Sequence, residues 1–156
     1  MDIKIAYLKE HPETIPTLAK IWHEVLGSVW LPDISIEQIE QGFYDDLNDS
    51  SLPLTLVALK GTLVIGAVSL YDNDELRTDV TPWLESLVVE KAYQNQGVGK
   101  ILVEKVKQKA RDLHFRTLYL FAFEPNLVTY YKQLGFQSIG IERFKDRAVT
   151  IMESTL

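Results

Sequence analysis

The stretch of this chain best equipped for chemistry is Gln94-Asn95-Gln96-Gly97-Val98-Gly99-Lys100. It follows the strand-like run Trp83–Val89 and opens an amphipathic stretch over residues 98–113. Strand, two-glycine turn and helix together make a cradle for a phosphorylated ligand. Glycine has no Cβ, so its backbone approaches a diphosphate closely. The first N–H groups of the helix are unpaired and sit at the positive end of its dipole. Two familiar glycine loops are excluded by counting. A dinucleotide fingerprint needs a third glycine three residues after the second, where Leu102 stands. A P-loop needs glycine at position 94 and Ser or Thr at 101, where Gln94 and Ile101 stand.

The elements that position this loop follow from periodicity and turn residues. Residues 3–8 read as a first strand, and 12–26 carry apolar residues at helical spacing, with Gly27 as the stop. Ser35 with Gln38 three residues on is a capping box for a helix reaching Tyr44. Residues 54–59 and 63–70 alternate as strands around the turn Lys60-Gly61-Thr62, and a polar loop over 71–81 leads to the strand before the cradle. The following helix is expected to bury Val98, Ile101, Leu102, Val106, Ala110 and Leu113. A β-rich run over 117–123, a short helix over 126–134 stopped by Gly135, and strands over 137–141 and 148–152 complete the chain. No repeat or long linker interrupts it, so a single domain over residues 1–156 is expected.

What remains after counting is Gln-x-x-Gly-x-Gly behind an apolar strand. This resembles the coenzyme A loop of the GCN5-related N-acetyltransferases (the GNAT family). The downstream piece Asn126-Leu127-Val128-Thr129-Tyr130-Tyr131-Lys132-Gln133-Leu134-Gly135-Phe136 is similar to that family's second cofactor segment. Two motifs in the right order are much more specific than either alone. Gln94 stands where Arg is commoner and Asn95 where Gly is common, so this loop has less charge and less backbone freedom. The resemblance implies an α+β (α/β) fold, with a mixed, mostly antiparallel sheet of six or seven strands flanked by about four helices. It implies acetyl-CoA as donor, held by residues 94–100, Asn126 and Tyr131. The strand residues Leu87, Val88 and Val89 would lie along the pantetheine arm, and a bulge would free the backbone groups of Leu87 and Val89.

Acetyl transfer to an amine needs a held donor, a polarised carbonyl, a proton acceptor and a stabilised thiolate. An alkylammonium has a pKa of about 10.4, so roughly one molecule in a thousand is nucleophilic at neutral pH. Glu85, a poor strand former inside an apolar strand, is the candidate base. Period two places it on one face with Trp83, Leu87 and Val89. A paired or exposed strand-edge Glu is the alternative. Tyr131, aligned with the family's tyrosine before Gly-Phe, is the candidate acid, and Tyr130 is its rival. Asn126 caps its helix, binds pantetheine, or does both. Trp22, His23, Trp30, Tyr71, Trp83 and Phe121 are candidate acceptor-pocket walls, or else plain core.

Composition narrows the rest. The chain has no cysteine, which excludes disulfides, thiolate metal sites and a cysteine acyl-enzyme. Its three histidines lack metal-ligand spacing, so no metal is expected. A net charge of −6 argues against nucleic acid as a partner. No apolar run reaches about 18 residues and the N-terminus lacks a signal-peptide core, so a cytoplasmic protein that neither spans nor binds a membrane is expected. Lys100, Lys107 and Arg111 fall on one helix stripe, either a solvated face or an anion-attracting rim. Acid gathers at Glu37, Glu40, Asp45, Asp46 and Asp49 and again at Asp72, Asp74, Glu75 and Asp79, which favours a cationic small-molecule amine as acceptor. A lysine or N-terminus of a protein, or a non-catalytic acyl-CoA-binding module, are the other readings, with the chain a monomer or homodimer.

Overall fold

A computed structural model describes residues 2–74 and 76–156; Glu75 of the second acidic group lies outside the described residues. The chain forms a seven-stranded sheet in the order β1-β2-β3-β4-β5-β7-β6. Its strands are β1 Lys4–Tyr7, β2 Leu54–Lys60, β3 Leu63–Tyr71, β4 Trp83–Val89, β5 Thr117–Ala122, β6 Gln137–Phe144 and β7 Arg147–Thr155. All neighbours pair antiparallel except β4 and β5, which run parallel and are joined by α4, Val98–Asp112. This helix and α5, Pro125–Gln133, cover one face of the sheet, while α1, Ile15–Trp22, and α3, Ile36–Tyr44, cover the other. Between α1 and α3 lies a single turn, α2, Ser28–Trp30.

Each helix follows from its sequence. Ser35 Oγ accepts from the Gln38 N–H, and the Gln38 side chain accepts from the Ser35 N–H, completing the capping box at the start of α3. The α4 stripe is Val98, Leu102, Val103, Val106, Lys107 and Ala110; Ile101, expected inside, is 39% exposed because it lies one position off that stripe. Gly27 does not stop its helix. The chain passes through a wider, π-type turn over His23–Gly27 and continues into α2. A Cβ at Gly27 would lie 3.2 Å from the Trp22 ring, so this glycine admits an aromatic side chain rather than ending the helix.

Two irregularities open the sheet. The parallel pair β4–β5 is registered only at Trp83 opposite Tyr119, with the Tyr119 N–H donating to the Pro82 carbonyl at 3.0 Å. Past that point, among the described residues, β4 has no partner on its β5 side. The second irregularity lies within β4, where Glu85 faces Ser69 but Val88 faces Ala67, so two residues on β4 oppose one on β3. Ser86 takes the left-handed conformation at φ 55° to make this bulge. The bulge breaks the period of two. Val88 packs among the α1–α3 core, whereas Leu87 and Val89 pack towards α4. The expected shared face of Glu85, Leu87 and Val89 is therefore corrected: they lie on opposite sides of the strand.

Candidate active site

The loop between β4 and α4 is shaped for an anion. Gly97 has φ 87° and Asn95 φ 63°, both left-handed. Among the described residues, the backbone N–H groups of residues 95–100 donate to no protein acceptor; the first paired one is Ile101, which donates to the Gly97 carbonyl at 3.1 Å. Six successive free donors at a helix start match a diphosphate. A Cβ on Gly97 would project into open space, where such a ligand would lie. A Cβ on Gly99 would come 2.5 Å from the Tyr130 hydroxyl. The residues thus fit the phosphate end of coenzyme A. The side chain of Gln94 is used differently: its amide donates to the Val89 carbonyl at 2.9 Å, tying the loop to its strand. Gln96 ties back to the Ala92 carbonyl at 3.3 Å. These two act through the loop's shape. Lys100 is exposed, but Lys107 leaves the basic stripe, being 9% exposed and donating to the Leu134 carbonyl at 2.6 Å at the end of α5. Asn126 is exposed near the start of α5, where its side chain makes no capping bond.

Glu85 lies on the α1–α3 side of β4, partly buried beside two other carboxylates. Burial first, then Asp74 and Asp46, push its pKa from 4.5 up to about 9. Asp46, at the end of α3, is 3% exposed. Its Oδ2 accepts from the Tyr71 hydroxyl at 2.6 Å and, more weakly, from Thr55 Oγ1 at 3.4 Å; Thr55 also bonds Ser69 at 2.7 Å. Burial raises the Asp46 carboxyl to about 6, against the opposing pull of those hydrogen bonds. Tyr71 is held well above the usual phenol range, by burial and by Asp46. Sequence reasoning missed this row. The sequence shows Asp46 only as one of an acidic group, and Glu85 and Tyr71 as separate candidates; their meeting in one row is not legible there.

Beside the acids stands an aromatic wall. Trp30 packs tilted against Phe123 with centroids 4.5 Å apart, Phe123 meets Phe144 at 5.8 Å, and Trp83 stacks on Phe121 at 4.6 Å. The Arg147 guanidinium covers Trp30 at 4.4 Å. Trp83 is 0% exposed and its indole donates to the Val80 carbonyl, so it supports the wall from beneath and offers a ligand no surface. Trp22 packs against the α1 core, and His23 opens the π-type turn. Phe123, Phe144 and Arg147 were not legible as site residues, because the ends of β5, β6 and β7 meet only in the folded sheet, where Phe123 and Arg147 reach Trp30 and Phe144 reaches Phe123.

The two tyrosines separate. Tyr130 is half-buried with its hydroxyl against the first turn of α4. Tyr131 is 7% exposed, edge-on to Tyr130 and Phe136. Among the described residues its hydroxyl has no hydrogen-bond partner, yet that oxygen is not sealed from solvent. Burial pushes its pKa up, so it remains a neutral donor.

A splayed parallel pair, a bulged strand and a free-donor glycine loop in one sheet define an acetyltransferase fold. Residues 15–136 match the acetyltransferase (GNAT) family, and the chain belongs to that family. It is 30% identical over 98 residues to the spermine/spermidine N(1)-acetyltransferase of Bacillus subtilis (strain 168), a match covering 61% of this chain and 63% of that protein's length. Among solved structures, an aminoglycoside 6′-N-acetyltransferase complexed with coenzyme A superposes with TM-score 0.73 at 16% identity, over 99% of this chain and 97% of its own. A ribosomal-protein-alanine N-acetyltransferase from Brucella melitensis superposes with TM-score 0.77 at 18% identity, over 100% of both chains. These structural likenesses establish the seven-stranded mixed fold.

Proposed function

We propose that this protein moves an acetyl group from acetyl-CoA directly to a primary amine of a small cationic molecule. The observation that carries the reading is one strand serving both ends of the reaction: β4 delivers Glu85 beside the splay and leads into the loop of free N–H groups. Acetyl-CoA, when bound, supplies the thioester. The loop would hold its diphosphate, and the β5-facing backbone of Leu87 and the Val89 N–H, past the last paired position at Trp83, would hold its pantetheine amides. The Val89 carbonyl is already taken by Gln94, so it contributes less. Glu85 accepts the ammonium proton, directly or through water; the neutral amine nitrogen then bonds the acyl carbon as the C–S bond breaks, and the second proton it sheds ends on the thiolate. The Tyr131 hydroxyl donates to the departing thiolate. A carboxylate row beside an aromatic wall favours a cation with an apolar body. The name of the Bacillus subtilis relative points to polyamines as the first acceptors to try.

Thiol release measured over polyamines, aminoglycosides, amino acids and N-terminal peptides tests this reading. Polyamines are expected to turn over fastest, and acetyl-CoA is expected to raise the melting temperature. A preference for peptides would move the assignment to a protein acetyltransferase. No thermal shift with acetyl-CoA would sink the donor assignment.

The tyrosine assignment has its own expected result. Tyr131→Phe should lower kcat roughly 10- to 100-fold, the scale of one lost proton donor, with little change in acetyl-CoA affinity. Tyr130→Phe should act mainly on KM for acetyl-CoA, because its hydroxyl borders Gly99. Reversed effects would exchange the two roles.

A further inference from the structure

We propose that Asp46 is a positioning residue for the reaction: from the end of α3 it clamps the Tyr71 hydroxyl and Thr55 and sets a fixed negative charge beside Glu85. The inference rests on Glu85 being the base. Thr55, Ser69 and Glu85 occupy adjacent register positions on β2, β3 and β4, and Asp46 closes over this row from the helix layer. The charge is costly where it stands. Asp46 is 3% exposed, and among the described residues no Lys, Arg or His forms an ion pair with it or with Glu85. The titratable groups acting on Glu85 are Asp74 and Asp46, and those acting on Asp46 include Asp45 and Tyr71. None of these can bring a positive charge.

An asparagine carbonyl would still accept a hydrogen bond from Tyr71, and a neutral residue would avoid the cost of a buried charge. Packing therefore does not account for the carboxylate. Its consequence is chemical. Buried, and crowded by Asp74 and then Asp46, Glu85 keeps its proton until the pH is high or a cation arrives. An acceptor ammonium entering the row relieves the repulsion and readies Glu85 only when there is a proton to accept. Asp46 thus couples occupancy of the acceptor site to the state of the base, through charge and without a moving part.

The experiment is an NMR titration of the Glu85 side-chain carboxyl in the full chain with 13C-labelled glutamate, run beside the pH dependence of kcat/KM. In Asp46→Asn the Glu85 midpoint should fall by roughly one pH unit, the scale of a neighbouring like charge. The acid limb of kcat/KM should follow it, and acetyl-CoA affinity should stay put. Asp46→Glu should bring the midpoint back towards its original value. Asp46→Ser, small and still able to accept from Tyr71, takes the place of Asn if that variant does not fold. An unmoved Glu85 midpoint overturns the proposal even where activity falls, since that is the behaviour of a merely structural residue. A Glu85→Gln enzyme that keeps the acid limb overturns Glu85 as the base, and Asp46's catalytic role with it, whatever the titration shows.

Discussion

Replacing Glu85 by Gln is expected to lower turnover roughly 10²- to 10³-fold, within the range for a lost general base, while making the protein more stable at neutral and alkaline pH. The two effects share one cause. Burial, with Asp74 and Asp46 adding to it, raises the folded pKa from 4.5 to about 9. A carboxyl whose folded pKa is raised binds its proton more tightly in the native state, so its stabilising contribution is complete below about pH 4.5. That contribution is lost progressively as the pH climbs through about 9. At pH 7 the interval of 2.5 units amounts to at most about 3 kcal/mol, worth several degrees for a domain of this size. Glutamine cannot ionise and escapes the loss. Melting temperatures of both proteins should therefore coincide near pH 4 and diverge steadily up to pH 9. A difference that does not change with pH would show that Glu85 is not held neutral by its surroundings. Activity and stability are in opposition at this residue.

Gly97→Asp should raise the KM or Kd for acetyl-CoA by roughly 100-fold with a smaller effect on kcat, since an interfacial like-charge clash costs several kcal/mol. Aspartate tolerates the left-handed conformation better than most residues, so φ 87° at this position does not by itself forbid it. The space a Cβ would enter is open, so the fold is expected to survive. What changes is the sign of the cradle: a carboxylate would compete for the free N–H groups of residues 95–100 and repel a diphosphate. Gly97→Asn, of the same shape and uncharged, is the control and should lose far less. Isothermal titration with coenzyme A reads both. Equal losses in the two variants would mean that backbone strain, and not charge, governs the loop.

Much of the site was legible because its signals are local. A helix start with glycines at two fixed offsets dictates free N–H groups wherever the chain folds, and residues 95–100 have them. Ser35 and Gln38 specify their cap within one turn. Glu85 drew attention as a carboxylate in an apolar strand, and it is partly buried with a raised pKa. What failed was each inference that carried a periodicity past an irregularity. Period two could not survive the left-handed Ser86, so Leu87 and Val89 changed face. Gly27 read as a stop because its Cβ-less space is filled by a ring seen only in three dimensions. Lys107 read as surface because helical phase does not reveal that α5 brings a carbonyl to its ammonium.

By itself, then, the chain's order of residues determined the donor end: family, sheet and glycine cradle, all set by interactions within a few residues or one crossover. Only tertiary structure assembled the acidic row and the aromatic wall. Asp46, Tyr71 and Glu85 come from three separate elements, and Trp30 meets Phe123 and Arg147 across more than 90 positions of chain. Long-range side-chain contacts depend on which strands neighbour one another and where β4 bulges. No local pattern encodes that, because the energies that fix it arise only when the layers close.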